Sequence, residues 1–151
     1  MSRTAFAVAA VALAAALPAQ AQFAKPEDAI KYRKSVMVMQ GHHLGQMFAM
    51  ASGRVPFDAK AMQDNAALLD VIDKLPFVAF TPGTDKGDTR AKPEIWTERA
   101  KFDAASQKMQ DDVAKLKVAT QGGNIDQIKA AVGAVGQSCK ACHDAYQKPA
   151  N

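Results

Sequence analysis

The apolar positions of this chain fall into helical repeats, with turn-forming residues between them. Ile30, Met37, Leu44 and Phe48 share one face at helical spacing and predict a first helix. It opens at Pro26, tolerated in a first turn, with Glu27 and Asp28 at the positive end of the helix dipole. Gly53 and Pro56 close it. A second helix starts near Asp58, a candidate N-cap, carries Met62, Ala66, Leu69 and Ile72, and stops at Pro76. "TPGTDKGDTRAKP" (81–93) has turn residues and no periodic face, so it reads as a loop. A third helix is expected from Glu94 through Trp96, Phe102, Met109, Val113 and Leu116, broken at Gly122-Gly123. The fourth, capped near Asn124, repeats Ile128, Val132, Val135, Cys139, Cys142 and Tyr146 as a heptad-like seam. Strand patterning is nearly absent. The economical architecture is all-α, an antiparallel up-down-up-down four-helix bundle.

The apolar run at the start belongs to a different kind of segment. Arg3 precedes it, it spans Ala5 to Leu17, and it ends at Ala19-Gln20-Ala21, a small-x-small cleavage pattern. It is short of the ~20 residues of a membrane span. Residues 1–21 therefore read as a signal peptide cleaved after Ala21, with export to a bacterial periplasm, and 22–151 as one bundle domain. Without Arg3, 18 basic residues face 15 acidic ones, mixed along the chain with no basic run. Nucleic acid and acidic membranes are not indicated as partners.

The chemistry is concentrated in Cys139-Lys140-Ala141-Cys142-His143, which holds both cysteines of the chain. C-x-x-C-H is the c-type haem attachment pattern. Two thiols one helical turn apart can reach the two vinyl groups on one haem edge, and the adjacent imidazole can turn to the iron. Three other readings stand beside it. A redox pair would sit after a strand, and none precedes it. A zinc site would want about four ligands. A structural disulfide would have no need of the histidine.

Only eight residues follow His143, none of them Met or His, so any sixth iron ligand comes from upstream. The first helix offers Met37, Met39, His42, His43, Met47 and Met50. If the first and last helices are antiparallel neighbours, His143 lies about 8 Å from its helix end, Met37 about 16 Å from Pro26, and His42 and His43 about 24–26 Å along. The two histidines fall too far down the bundle, whereas Met37 can reach the haem face as ligand or cover. Arg33, one turn earlier, is a cation facing the same side, and haem propionates would supply its anions.

The sequence resembles the cytochrome c′ family, periplasmic four-helix-bundle cytochromes with haem near the C-terminus. The resemblance spans the mature chain and rests on "QFAKPEDAIKYRKSVM", "LPFVAFTPGT", "KPEIW" and "VGQSCKACHDAY". It implies haem c bound by thioethers to Cys139 and Cys142, with His143 as the only protein ligand of a five-coordinate, high-spin iron. Met37 matches the residue covering the open face, and Phe77 a second bulky residue near it. Arg33 and Lys34 match residues at a propionate, with Arg90 as a further candidate. Gln147 stands where many members carry arginine beside the proximal face.

Two functions follow. An open iron under an apolar cover would bind small diatomic gases, nitric oxide and carbon monoxide, and take part in electron transfer with an unidentified periplasmic partner. The alternative is a low-spin His/Met-ligated bundle cytochrome acting purely as an electron carrier. Peroxidase chemistry lacks an acid–base partner on the distal side, so no enzymatic reaction is expected. The resemblance also suggests a homodimer through the first two helices, where Met47, Phe48 and Met50 could leave apolar area outside the core.

Overall fold

The computed structural model describes residues 22–149. The expected signal peptide, residues 1–21, lies outside them. Five helices follow in order: α1 Pro26–Ala51, α2 Ala59–Ile72, α3 Glu94–Thr97, α4 Arg99–Gly122 and α5 Ile125–Tyr146. A single 3-10 turn, Phe77–Ala79, separates α2 from the loop.

Local chemistry sets the ends. Pro26 stands at the start of α1 with Glu27 and Asp28 in its first turn. Asp58 caps α2 by accepting from the Ala61 amide at 3.0 Å, and Asn124 caps α5 by accepting from Asp126 and Gln127 at 3.0 and 3.1 Å. Each such cap is worth about 1 kcal/mol. Gly123 makes the tight α4–α5 turn in the left-handed region, φ 71°, which glycine enters without a Cβ penalty.

The four long helices pack in a ring, α1 on α2, α2 on α4, α4 on α5 and α5 on α1. Cross-links give the directions. Gln40 meets Ile72 and His43 meets Asn65, so α2 descends as α1 rises. Gln63 meets Thr120 and Lys117 meets Asp70, so α4 reverses again. This is the antiparallel four-helix bundle. Its core holds Met47, Met62, Leu69, Val113, Leu116, Ile128, Val132 and Val135, each side chain contributing about 1.5–3 kcal/mol through burial. Gly136 lets α5 approach α1: a Cβ there would lie 2.5 Å from Phe48 Cζ. No helix among the described residues is long and apolar enough to cross a membrane.

Two expectations need correction. The third helix is not continuous from Glu94. Glu98 leaves helical geometry (φ −118°, ψ 41°) although neither Gly nor Pro stands there. Contacts to the preceding loop fix both sides of the break: the Trp96 indole donates to the Thr81 carbonyl at 3.0 Å and Arg99 Nη1 to the Phe80 carbonyl at 3.1 Å. Second, Met47 and Met50 leave no apolar area outside the core; both are buried, and Phe48 is half-buried against it.

Candidate functional site

A cavity of about 490 Å³ opens between α1, the end of α2, the loop, α3, α4 and α5. That is within the roughly 300–1,000 Å³ of ligand pockets. It lies at the seam of two apolar clusters. The main core ends at Cys139. A second cluster of Phe80, Ala91, Ile95 and Phe102 packs against Met37, Trp96, Cys142 and Tyr146. Phe102 anchors this cluster, with ring centroids 4.9 Å from Phe80, 5.8 Å from Phe77 and 5.3 Å from Tyr146. Edge-on aromatic contacts of this kind add to the burial of the rings themselves.

Residues Arg33, Lys34, Met37, Phe77, Arg90, Cys139, Cys142 and His143 all line this one cavity. The first-helix histidines do not. His42 bonds Gln46 on the surface at 3.0 Å, and His43 Nδ1 meets Asn65 Oδ1 at 2.7 Å.

The end of α5 is strapped in place. Ala91 and Gln147 form an isolated antiparallel bridge. The Lys148 amide donates to the Arg90 carbonyl at 2.7 Å, and the Lys92 amide to the Tyr146 carbonyl at 2.9 Å. Lys92 Nζ also donates to the Asp144 and Ala145 carbonyls at 2.8 and 3.1 Å, satisfying free carbonyls of the last turn. The strap brings Arg90 close enough to help hold the His143 pKa below its ordinary value. Burial is the larger cause, and Asp144 opposes both. The result favours the neutral imidazole, the form that binds metals. Cys139 and Cys142 are free. Burial raises both thiols, Cys142 to about 11, so they rest protonated and poorly nucleophilic.

Arg33 is buried at 2 % exposure. Nη1 donates to Ala79 O at 3.0 Å and Thr84 Oγ1 at 2.8 Å; Nη2 donates to Thr84 O at 2.7 Å and Thr89 Oγ1 at 2.9 Å. The guanidinium also lies 4.3 Å from the Phe80 ring centre, a cation–π distance. Burial lowers its pKa to about 10. None of the ion pairs among the described residues involves it. Lys34, by contrast, is exposed and pairs with Asp88 at 2.5 Å.

Sequence reasoning missed Phe80, Phe102 and Asp73 as parts of this wall. Phe77 and Phe80, three apart after Pro76, carried a usable signal for the first. Asp73 carried none, since a polar residue at a helix end reads as solvated.

Fold and site together define a class: a four-helix bundle with a c-type attachment sequence on its last helix, facing one largely apolar cavity. The chain belongs to the Cytochrome C′ family, whose profile matches residues 28–147. It is 47% identical over 127 residues to cytochrome c′ of Alcaligenes xylosoxydans xylosoxydans, covering 84% of this chain and 98% of that one. The crystal structure of cytochrome c′ from Rubrivivax gelatinosus aligns with a TM-score of 0.81 at 49% identity, over 84% of this chain and all of that one. A nitric oxide complex of a leucine-to-alanine mutant of cytochrome c prime from Alcaligenes xylosoxidans aligns at 0.81 and 45%, over 85% of this chain and 100% of that chain. The family consists of haem proteins rather than classical enzymes.

Proposed function

We propose that this chain is an exported, periplasmic c-type haem protein that uses His143 as its sole protein ligand to iron. It takes small diatomic gases, nitric oxide and carbon monoxide, on the opposite side, and exchanges electrons with a periplasmic partner. One observation carries the reading: Cys139, Cys142, His143 and Met37 line the same cavity, while His42 and His43 are bonded elsewhere. The nitric oxide complex of the Alcaligenes relative supports the choice of ligand.

The residues present fit a haem. Two protonated thiols, a near-neutral imidazole, aromatic walls and a buried cation without a carboxylate match its vinyls, metal, ring and propionates in turn. Haem, when bound, supplies the metal that takes a gas molecule or an electron. The chain does the rest. Cys139 and Cys142 would hold the haem through thioethers, each S–H adding across a vinyl C=C so that one S–C and one C–H bond would replace the S–H and π bonds, with no oxidant needed. Met37 and Phe77 present apolar surface that disfavours water and anions, since burying an uncompensated charge is costly. Arg33, Lys34 and Arg90 line the same cavity and are the residues that would hold the propionates. Exposed positions Lys140 and Ala141 on α5 would keep one haem edge near solvent, which suits electron exchange. The protein pairs as a homodimer through α1 and α2.

Adding carbon monoxide to the reduced protein tests the reading. We expect the absorption spectrum to shift to that of a carbon monoxide adduct. A low-spin reduced spectrum that ignores the gas would overturn it, leaving an electron carrier ligated by Met37, whose side chain already lines the cavity.

A further inference from the structure

We propose that Asp73 is a specificity-determining residue of the cavity, a buried carboxyl in the wall whose protonation state sets how polar or charged a ligand the cavity accepts. The proposal rests on the haem reading above.

Asp73 follows the last residue of α2, with its amide donating to the Leu69 carbonyl at 2.8 Å. The residue is 2 % exposed. Its Oδ1 is fully buried without a hydrogen-bond partner. Asp73 lines the same cavity as Met37, Phe77 and both cysteines. A buried carboxyl oxygen is ordinarily bonded, and nothing in haem attachment or ligation uses this one. An unpartnered carboxyl oxygen in a residue of a binding-cavity wall is a group with a task still open.

Other charged groups stand on its own segment and around the cavity it lines. On its own segment stand Lys74 and Asp70, and Asp70 is held by Lys117 at 2.7 Å. From α1 come Arg33, bonded to Ala79, Thr84 and Thr89, and Lys34, paired with Asp88. The loop adds Arg90, whose Nε donates to the Lys148 carbonyl, and α5 adds His143. The cavity residues of α4 are apolar, among them Met109 and Val113. Burial raises the Asp73 pKa from 3.8 to about 6; Asp70 reinforces this, and Lys74 opposes it.

The sign follows. The folded state holds this proton to higher pH than the unfolded chain does, so ionisation costs stability as pH rises from 3.8 to about 6. Below about 6 the neutral acid of the folded protein offers an O–H donor to a polar ligand. Above it the carboxylate offers only acceptors and repels anions and electron-rich ligand atoms.

Titrating the holoprotein between pH 5 and pH 8 tests this. The ferric absorption spectrum of the wild type should change with a midpoint near about 6, and that of Asp73→Asn should not. An infrared difference between the two pH values should show a protonated carboxyl band that Asp73→Asn lacks. Carbon monoxide affinity of the reduced wild type should fall about two- to tenfold from pH 5 to pH 8, the range of one hydrogen bond, and stay flat in the variant. Asp73→Ser serves the same comparison should the amide variant not fold. Titrations and infrared spectra identical in wild type and variant would overturn the proposal, as would a carbon monoxide affinity equally pH-dependent in both. Refusal of carbon monoxide at every pH overturns the gas-binding reading alone, because the absorption and infrared titrations still decide for or against Asp73.

Discussion

Arg33 shows how one side chain can organise a site. Its two terminal nitrogens join α1 to the 3-10 turn at Ala79 and to the loop at Thr84 and Thr89. Those contacts position Phe80 and the rest of the aromatic wall. Replacing Arg33 with Met keeps the length but strands the Ala79 and Thr84 carbonyls, so Arg33→Met should lose about 2–4 kcal/mol of stability. Urea unfolding of the holoprotein measures this, and a loss below about 0.5 kcal/mol, the size of a neutral surface change, would contradict the role. At this scale the sequence was uneven in what it disclosed. The pentapeptide Cys139–His143 is legible because its spacing is the chemistry. The partners of Arg33 are not, because they lie 46 to 56 positions away in a segment without periodicity. Asp73 is hidden for the same reason: its burial is created by neighbours that assemble only in the fold.

The elements divide along a similar line. The long helices announce themselves through repeats of apolar residues and through Pro26, Asp58, Gly123 and Asn124 at their ends. The break at Glu98 does not, since it is imposed by bonds from Trp96 and Arg99 to the loop rather than by a local breaker. The loop itself reads as featureless, yet it supplies the strap that pairs Ala91 with Gln147 and secures the end of α5. The proposed homodimer is a matter of these elements too. The apolar side chains that α1 and α2 leave exposed are Val38, Met39 and Val71, not the methionines nearer the end of α1. Equilibrium sedimentation of the holoprotein at micromolar concentration should give a dimer, with Val71→Asp shifted towards monomer. A wild-type monomer under those conditions would contradict the proposed pairing.

Across the whole molecule, two apolar clusters meet along the last helix. The main core reaches Cys139 and the aromatic cluster reaches Cys142, so the cysteine-bearing turn sits on their seam and the cavity opens beside it. A ring of four antiparallel helices leaves this end of the bundle to be closed by the loop and by Met37 rather than by another helix. That arrangement places the imidazole of His143 and the thioether of Met37 on the boundary of one space. In the proposed site only the imidazole bonds the metal. Resonance Raman spectroscopy of the reduced protein reads this directly. A five-coordinate, high-spin iron with an iron–imidazole stretch is the expected result; a six-coordinate, low-spin iron at rest would contradict sole ligation by His143.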